Sequence, residues 1–378
     1  MSGTSQLTVG RAVDWKFAGT VGARLARPGP PATEYTRRQV IEDLAQASRA
    51  AEGPVREVTG LSLDAAVPDA CIVDRTGWIR AASESMRVMT GGSRTSANST
   101  APNASAANST APNASAANST APDSTAPNAV TGRIAGAQTG AVLAFISSGI
   151  LGQYDPFTDA DAGGSLLLVY PNVIAVERQL RLPPRDFRLW VCLHEVTHRV
   201  QFTANPWLSQ HMSRTLDVLM SDSGDLGQIV SGLASFIKDH RSAPPDANSS
   251  GVLGLLRAVQ AQPQRRALDD LLVLGTLLEG HADHVMDAVG PAVVPSVQMI
   301  RHRFDDRRQR RQPPLQRLLR ALLGMDAKLS QYTRGKAFVD HVVGRVGMAR
   351  FNAVWSGPDT LPKPAEIEDP QRWIDRIL

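Results

Sequence analysis

Cysteine is nearly absent. Cys71 and Cys192 are the two in 378 residues, which excludes a disulfide framework and fits a reducing compartment. Aromatic residues make up 5% of the chain, so the 42% of hydrophobic residues must fill a core mainly by aliphatic and alanine packing. That favours helices over a β-sandwich. Lysine occurs only at Lys16, Lys238, Lys328, Lys336 and Lys363, so the basic charge is carried by arginine. With abundant alanine and glycine, this usage suggests a GC-rich bacterial genome. The net charge of +4 is small for the length, although the isoelectric point is near 9.3. No basic region followed by an apolar run opens the sequence, so no signal peptide is expected and a cytoplasmic location is. Long apolar runs are lacking too. The uncharged stretch from Ile134 to Tyr154 contains Gln138, Gln153, several serines and several glycines, too polar for a membrane span. It predicts a buried helix whose small residues permit close packing.

The length suits one large domain or two ordinary ones. Residues 1–92 predict helices joined by loops, with apolar positions Val40, Ile41, Leu44, Ala47 and Ala51 at helical spacing. Residues 93–129 are different: ANSTAPNASA occupies 97–106, repeats at 107–116 and begins again at 117. Such a composition cannot bury enough apolar surface to offset ordering entropy, so it predicts a disordered insert. Its Asn-x-Ser/Thr sequons carry no meaning in a cytosolic bacterial protein. Residues 130–378 then continue one domain with 11–92. There, SLLLVYP (165–171) has strand length and ends in proline. Pro183-Pro184 starts a helix that Asn205-Pro206 stops. Further helices are expected at 208–220, 224–240, 252–261, 265–288, 293–303, 314–331 and 335–350, with a short one near 370–378. The fold class is therefore mainly α, of α+β type.

The chemistry centres on VCLHEVTHRV (191–200). His194 and His198 are four residues apart and share a helix face, so their ring nitrogens can converge on one cation. Glu195 is turned about 100° from His194, toward the side where a water would sit. Two neutral imidazole ligands and one general base are the mechanical content of H-E-x-x-H. A catalytic zinc needs a third protein ligand. In the pattern H-E-x-x-H-x-x-G-x-x-H that ligand is the last histidine; here Gln201 and Ala204 stand at the glycine and histidine positions, which excludes it. The alternative is a glutamate from a later helix. Glu279 in LLEGHADHVMD (277–287) follows a run of leucines and valines, where a carboxylate is costly unless paired or metal-bound. Asp283 lies one turn on, and Gly275 and Thr276 would let this helix approach the metal helix. Asp217, Asp222 and His211 are weaker alternatives in more polar surroundings.

Several short motifs together resemble a bacterial, mainly actinobacterial, family of zincin-type metallopeptidases. They are VDW (13–15), GAQTGAVLAF (136–145), GILGQYDP (149–156), LLLVYPN (166–172), the His194–His198 motif, EGHADHVMD (279–287), QYTRGKAFV (331–339) and LPKPAEIEDPQRWIDR (361–376). The resemblance covers roughly 11–90 and 130–376, and the 93–129 repeat departs from it. It implies a zincin-like core with a small β-sheet beside the metal helix and a helical C-terminal part. It also implies His194, His198 and Glu279 as zinc ligands, Glu195 as the catalytic glutamate and Asp283 as the acceptor that orients a ligand histidine. The strand 165–171 is then expected at a sheet edge, pairing with an extended peptide substrate. An oxyanion donor is also needed, with Tyr332, His281, His284 and His341 as candidates. On an ideal helix His281 and His284 point away from the Glu279 face, as structural or solvent-facing residues would.

Two other functions compete. A zinc-stabilised scaffold that binds a partner would use the same ligands but has no need of Glu195. Nucleic-acid binding could use the eight arginines of RHRFDDRRQRRQPPLQRLLR (301–320). Asp305 and Asp306 interrupt that run and no aromatic platform accompanies it, so a solvated helix end and loop is expected, without a nucleic-acid partner. The residues favour a zinc-dependent hydrolase, and the resemblance implies that it acts on a peptide or protein.

Overall fold

The computed structural model describes residues 13–61, 68–90, 129–159, 163–220, 262–310 and 330–378. All but the last residue of the repeat at 93–129, and the helices expected at 224–240 and 252–261, lie outside them, as does nearly all of 314–331. The described chain is mainly helical with one small sheet. In order, the elements are α1 (Trp15–Leu25), α2 (Glu34–Thr59), β1 (Cys71–Val73), α3 (Arg75–Met89), α4 (Ala129–Ile146), β2 (Gly152–Asp155), β3 (Ser165–Val169) and α5 (Tyr170–Leu180). There follow α6 (Pro184–Ala204), α7 (Trp207–Met220), α8 (Gln262–Val293), α9 (Val297–Arg310), α10 (Ser330–Val346), α11 (Met348–Phe351), α12 (Pro364–Glu368) and α13 (Pro370–Ile377).

The sheet order is β1-β3-β2, with β3 parallel to β1 and antiparallel to β2. The expected edge strand is thus the central one. The reason is in its composition: an unbroken apolar run, rather than an alternating one, marks a strand covered on both faces. Leu166 and Leu168 enter the main core with Val191, Leu193 and Val196, while Leu167 and Val169 pack on Trp78, Ile79 and Leu143. The strand beside α6 is β2, which places an edge next to the His-Glu motif. Pro171 does not merely end β3. It sits in the first turn of α5, an 11-residue helix that the sequence reading leaves out.

α6 is the axis of the molecule. Its Pro-Pro start and Asn205 end fall where the sequence puts them, and Asp186 in its first turn accepts a hydrogen bond from the Ser296 backbone at 2.8 Å. Two buried arginines tie it to α2 and α5: Arg188 pairs with Asp43 of α2 and, at 3.0 Å, with Glu177 of α5, and Arg199 pairs with Glu52 of α2. Such pairs stabilise little in net terms, but removing one partner strands a buried charge.

α4 is the expected close-packed helix. Its Gly136 and Gly140 lie against the backbone of Asp14 and Ala18 at α1. Among the described residues, no helix is long and apolar enough to cross a membrane. A second contact without side chains joins α8 to α10, where Gly280 meets Gly335 and Gly335 meets the Thr276 carbonyl. Thr276 thus admits α10 rather than the metal helix, and Gly275 faces open space. α8 is broken at Gly290, whose φ of 72° suits glycine, followed by Pro291.

Gly280→Ala should cost about 3 kcal/mol or more in urea unfolding, because the new methyl overlaps backbone on α10. Gly275→Ala, with open space around it, should instead gain ~0.5–1 kcal/mol.

Candidate metal centre

α6 and α8 bring three side chains together. His194 Nε2 lies 3.5 Å from Glu279 Oε2, and His198 Nε2 lies 3.5 Å from Glu279 Oε1. The two Nε2 atoms are 3.2 Å apart, and their rings stand at 88°. One donor atom from each residue falls within 4.8 Å of the others, a group that could hold a metal ion. The residue types and spacing fit zinc. With Zn–N and Zn–O bonds near 2.0–2.1 Å, the edge of a tetrahedron is about 3.3 Å, close to the distances between these donors. Three protein ligands also leave one position open, as in catalytic rather than structural zinc sites.

Glu195 lies beside this group, buried at 7% exposure. Its stem rests on β2: a methyl placed on Gly152 would stand 2.5 Å from Glu195 Cγ and 3.0 Å from Oε1. Glycine at the start of β2 is therefore what admits the glutamate. Among the described residues no hydrogen bond to its carboxylate is recorded, so its oxygens stay available to water or substrate.

The sequence profile of the zincin-like metallopeptidases matches residues 13–374, nearly the whole chain. The chain belongs to this family. Among solved structures, it resembles a protein of Chloroflexus aurantiacus described as a putative hydrolase with a novel fold, at 27% identity and a TM-score of 0.61. The match covers 96% of this chain and 98% of that one. No curated protein matches it. Membership of the family implies zinc and a metallohydrolase, and the His194–His198–Glu279 group is where the fold can hold the ion.

The electrostatics of the zincin-like site show why a cation suits it. Burial alone would lower the pKa of His194, but the hydrogen bond and charge of Glu279, with the charges of Glu195 and Asp283, raise it to about 9. Burial would raise Glu279, yet the two histidines hold it well below the usual carboxylate range. Glu195 is shifted upward by burial, against the pull of both histidines. The centre thus attracts positive charge, which suits a bound cation. Glu279 keeps 43% of its side chain exposed, so one side of the centre opens to solvent.

The other candidates sort differently. Asp283 does not bond a ligand histidine. It accepts from Arg301 Nη1 at 2.9 Å, and Arg301 Nη2 donates to its carbonyl at 2.8 Å. The guanidinium, held over the Trp190 ring and by Asp287, takes the carboxylate that the sequence assigns to histidine. Behind His198 stands Gln201, with Oε1 2.9 Å from Nδ1, and behind His194 stands Met286, with Sδ 3.3 Å from Nδ1. His281 is fully buried on the far side of Gln201, so it is no oxyanion donor. His284 pairs with Asp340 at 2.6 Å, and His341 lines a shallow surface depression with Arg334 and Glu368. Tyr332 falls in the first turn of α10, but its side chain lies outside the described residues. His211 stacks edgewise on Trp207, Asp217 is exposed, and Asp222 lies outside the described residues. Of the 301–320 run, Arg303 donates to the carbonyls of Leu180 and Arg181, so this arginine and Arg301 both serve the fold. Gln201 and Met286 were missed as site residues because neither is a ligand type. The one signal was Gln201 one turn after His198.

His281 has a pKa lowered to about 3, chiefly by burial, then by the charges of His284 and His198. The unfolded chain binds a proton near the ordinary value of 6.5 that the folded chain refuses. This stability is complete above that pH and is lost as pH falls toward 3. In pH-dependent urea unfolding, His281→Phe should flatten the acid slope by up to about 1.4 kcal/mol per pH unit.

Proposed function

We propose that the chain is a zinc-dependent peptidase in which Glu195 is the general base and His194, His198 and Glu279 hold the metal. The observation that carries this reading is the placement of Glu195, buried on Gly152 and adjoining three donors that leave a coordination position free. A purely structural zinc site is closed by four ligands and needs no base. When bound, zinc would polarise a scissile carbonyl and acidify water.

The chain's own residues do the rest. Glu195, with its pKa raised by burial, takes a proton from the attacking water and passes it to the leaving amine. Among the described residues β2 is paired to β3 on one side only, and its first residue touches Glu195. An extended peptide pairing with the outer edge of β2 would bring its carbonyls past that glutamate. This transfers to β2 the role expected of the 165–171 strand. The substrate is thus an extended peptide or protein segment.

Elemental analysis of the purified protein should find about one zinc per chain. His194→Ala and Glu279→Ala should carry little or none. Glu195→Gln should keep the zinc and lose about 10²–10⁴-fold in cleavage of a peptide library. Gly152→Ala should lose activity through the displaced Glu195 while retaining metal. No zinc in the parent after reconstitution would sink the reading. A Glu279→Ala protein that binds zinc normally would remove the third ligand.

A further inference from the structure

We propose that Gln201 and His281 are positioning residues that fix His198 in the tautomer whose Nε2 can bind a cation. The inference rests on the metal-site reading above and deepens it.

An imidazole binds a metal through the nitrogen that carries a lone pair, so the other nitrogen must carry the proton. Which one does is set by the partner of the ring. His198 Nδ1 lies 2.9 Å from Gln201 Oε1. The amide of glutamine is nearly symmetric in shape, and its orientation is decided by its neighbours. Here the decision comes from α8. Gln201 Nε2 is 3.0 Å from the Leu278 carbonyl oxygen, which can only accept. The nitrogen therefore faces α8 and the oxygen faces His198. That oxygen also can only accept, so His198 Nδ1 must donate. In the neutral ring Nε2 is then left with the lone pair, and it is the atom turned toward the centre, 3.5 Å from Glu279.

The second amide proton has a partner as well. Gln201 Nε2 lies 2.9 Å from His281 Nδ1, which accepts and so places the His281 proton on Nε2. Among the described residues that Nε2 is buried without a hydrogen-bond partner, and the ring stacks on Phe351 at 5.5 Å and edges Trp355 at 5.4 Å. An N–H among aromatic rings is better placed than a bare lone pair would be. Gln201 and His281 are both fully buried, so no bulk water competes for these groups. Leu278 and Glu279 are neighbours in sequence. One turn of α8 therefore supplies both a donor atom to the centre and the carbonyl that sets the tautomer of another donor. His194 has no such chain behind it, since a thioether is a weak acceptor.

The test uses the metal-free protein with ¹⁵N-labelled histidine, read by imidazole NMR near pH 7.5, together with zinc affinity from competition with a chromogenic chelator. The parent should show His198 protonated at Nδ1. Gln201→Leu should shift His198 toward the Nε2-protonated form and weaken zinc about 10–100-fold. His281→Leu should do the same to a smaller degree. His281→Asn, which keeps an acceptor near the position of Nδ1, should restore affinity to within about threefold. Circular dichroism checks folding. If His281→Leu fails to fold, the Gln201→Leu and His281→Asn pair decides alone. A Gln201→Leu protein with the parent's tautomer and zinc affinity would overturn the relay and leave the metal centre standing. A parent that takes up no zinc would overturn the metal reading instead, while the NMR of the metal-free protein still judges the hydrogen-bond chain.

Discussion

The approach of Glu279 to His194 and His198 is the contact on which the rest of the arrangement depends. A carboxylate and two imidazoles 3.2–3.5 Å apart are held together by charge and by backbone placement, not by apolar burial. The remainder of the fold supplies that placement. α6 is fixed by the core beneath β3 and by its arginines on α2. α8 is fixed by the glycine contact with α10 and by the Gln201 bond to Leu278. The two supports of α8 have little side-chain freedom to lose, being backbone on backbone and a buried amide with one available geometry.

The polar groups behind the two histidines are neutral. A carboxylate in that position would raise the basicity of the imidazole, as it does in many zinc sites. Here the nearest such carboxylate, Asp283, is neutralised by Arg301, and Gln201 and Met286 stand in its place. Negative charge at the centre is therefore concentrated in Glu279 and Glu195. A bound ion would thus meet two neutral imidazoles and one carboxylate, a donor set that suits activation of water. The arginine that withdraws Asp283 also stacks on Trp190 of α6, so the same residue joins α9 to both helices of the site.

Much of this was legible in the sequence, and for identifiable reasons. The histidines and Glu195 lie within one helix, where spacing of four residues fixes the shared face without knowledge of the fold. Glu279 was legible because a carboxylate amid leucines is costly unless it has a partner, and its partners lie in another helix. The mainly helical class followed from scarce aromatics and abundant alanine. The helix α5 was not seen because Pro171 both ends a strand and starts a helix, and proline in a first turn reads the same either way. The position of β3 was misread because sheet neighbours such as Cys71–Val73 and Gly152–Asp155 are too short to announce themselves.

What the sequence by itself determined is the set of donor atoms and their chemistry, since residue type and helical period belong to the local chain. What only the tertiary structure decided is who stands behind each donor and which strand lies beside it. Arg301 claims Asp283 from 18 residues away, and Gln201 finds Leu278 and His281 across 77 and 80 residues. Gly152 meets Glu195 only because β2 folds back onto α6. These contacts depend on the relative positions of elements distant in the chain, and no periodicity within any one element encodes them.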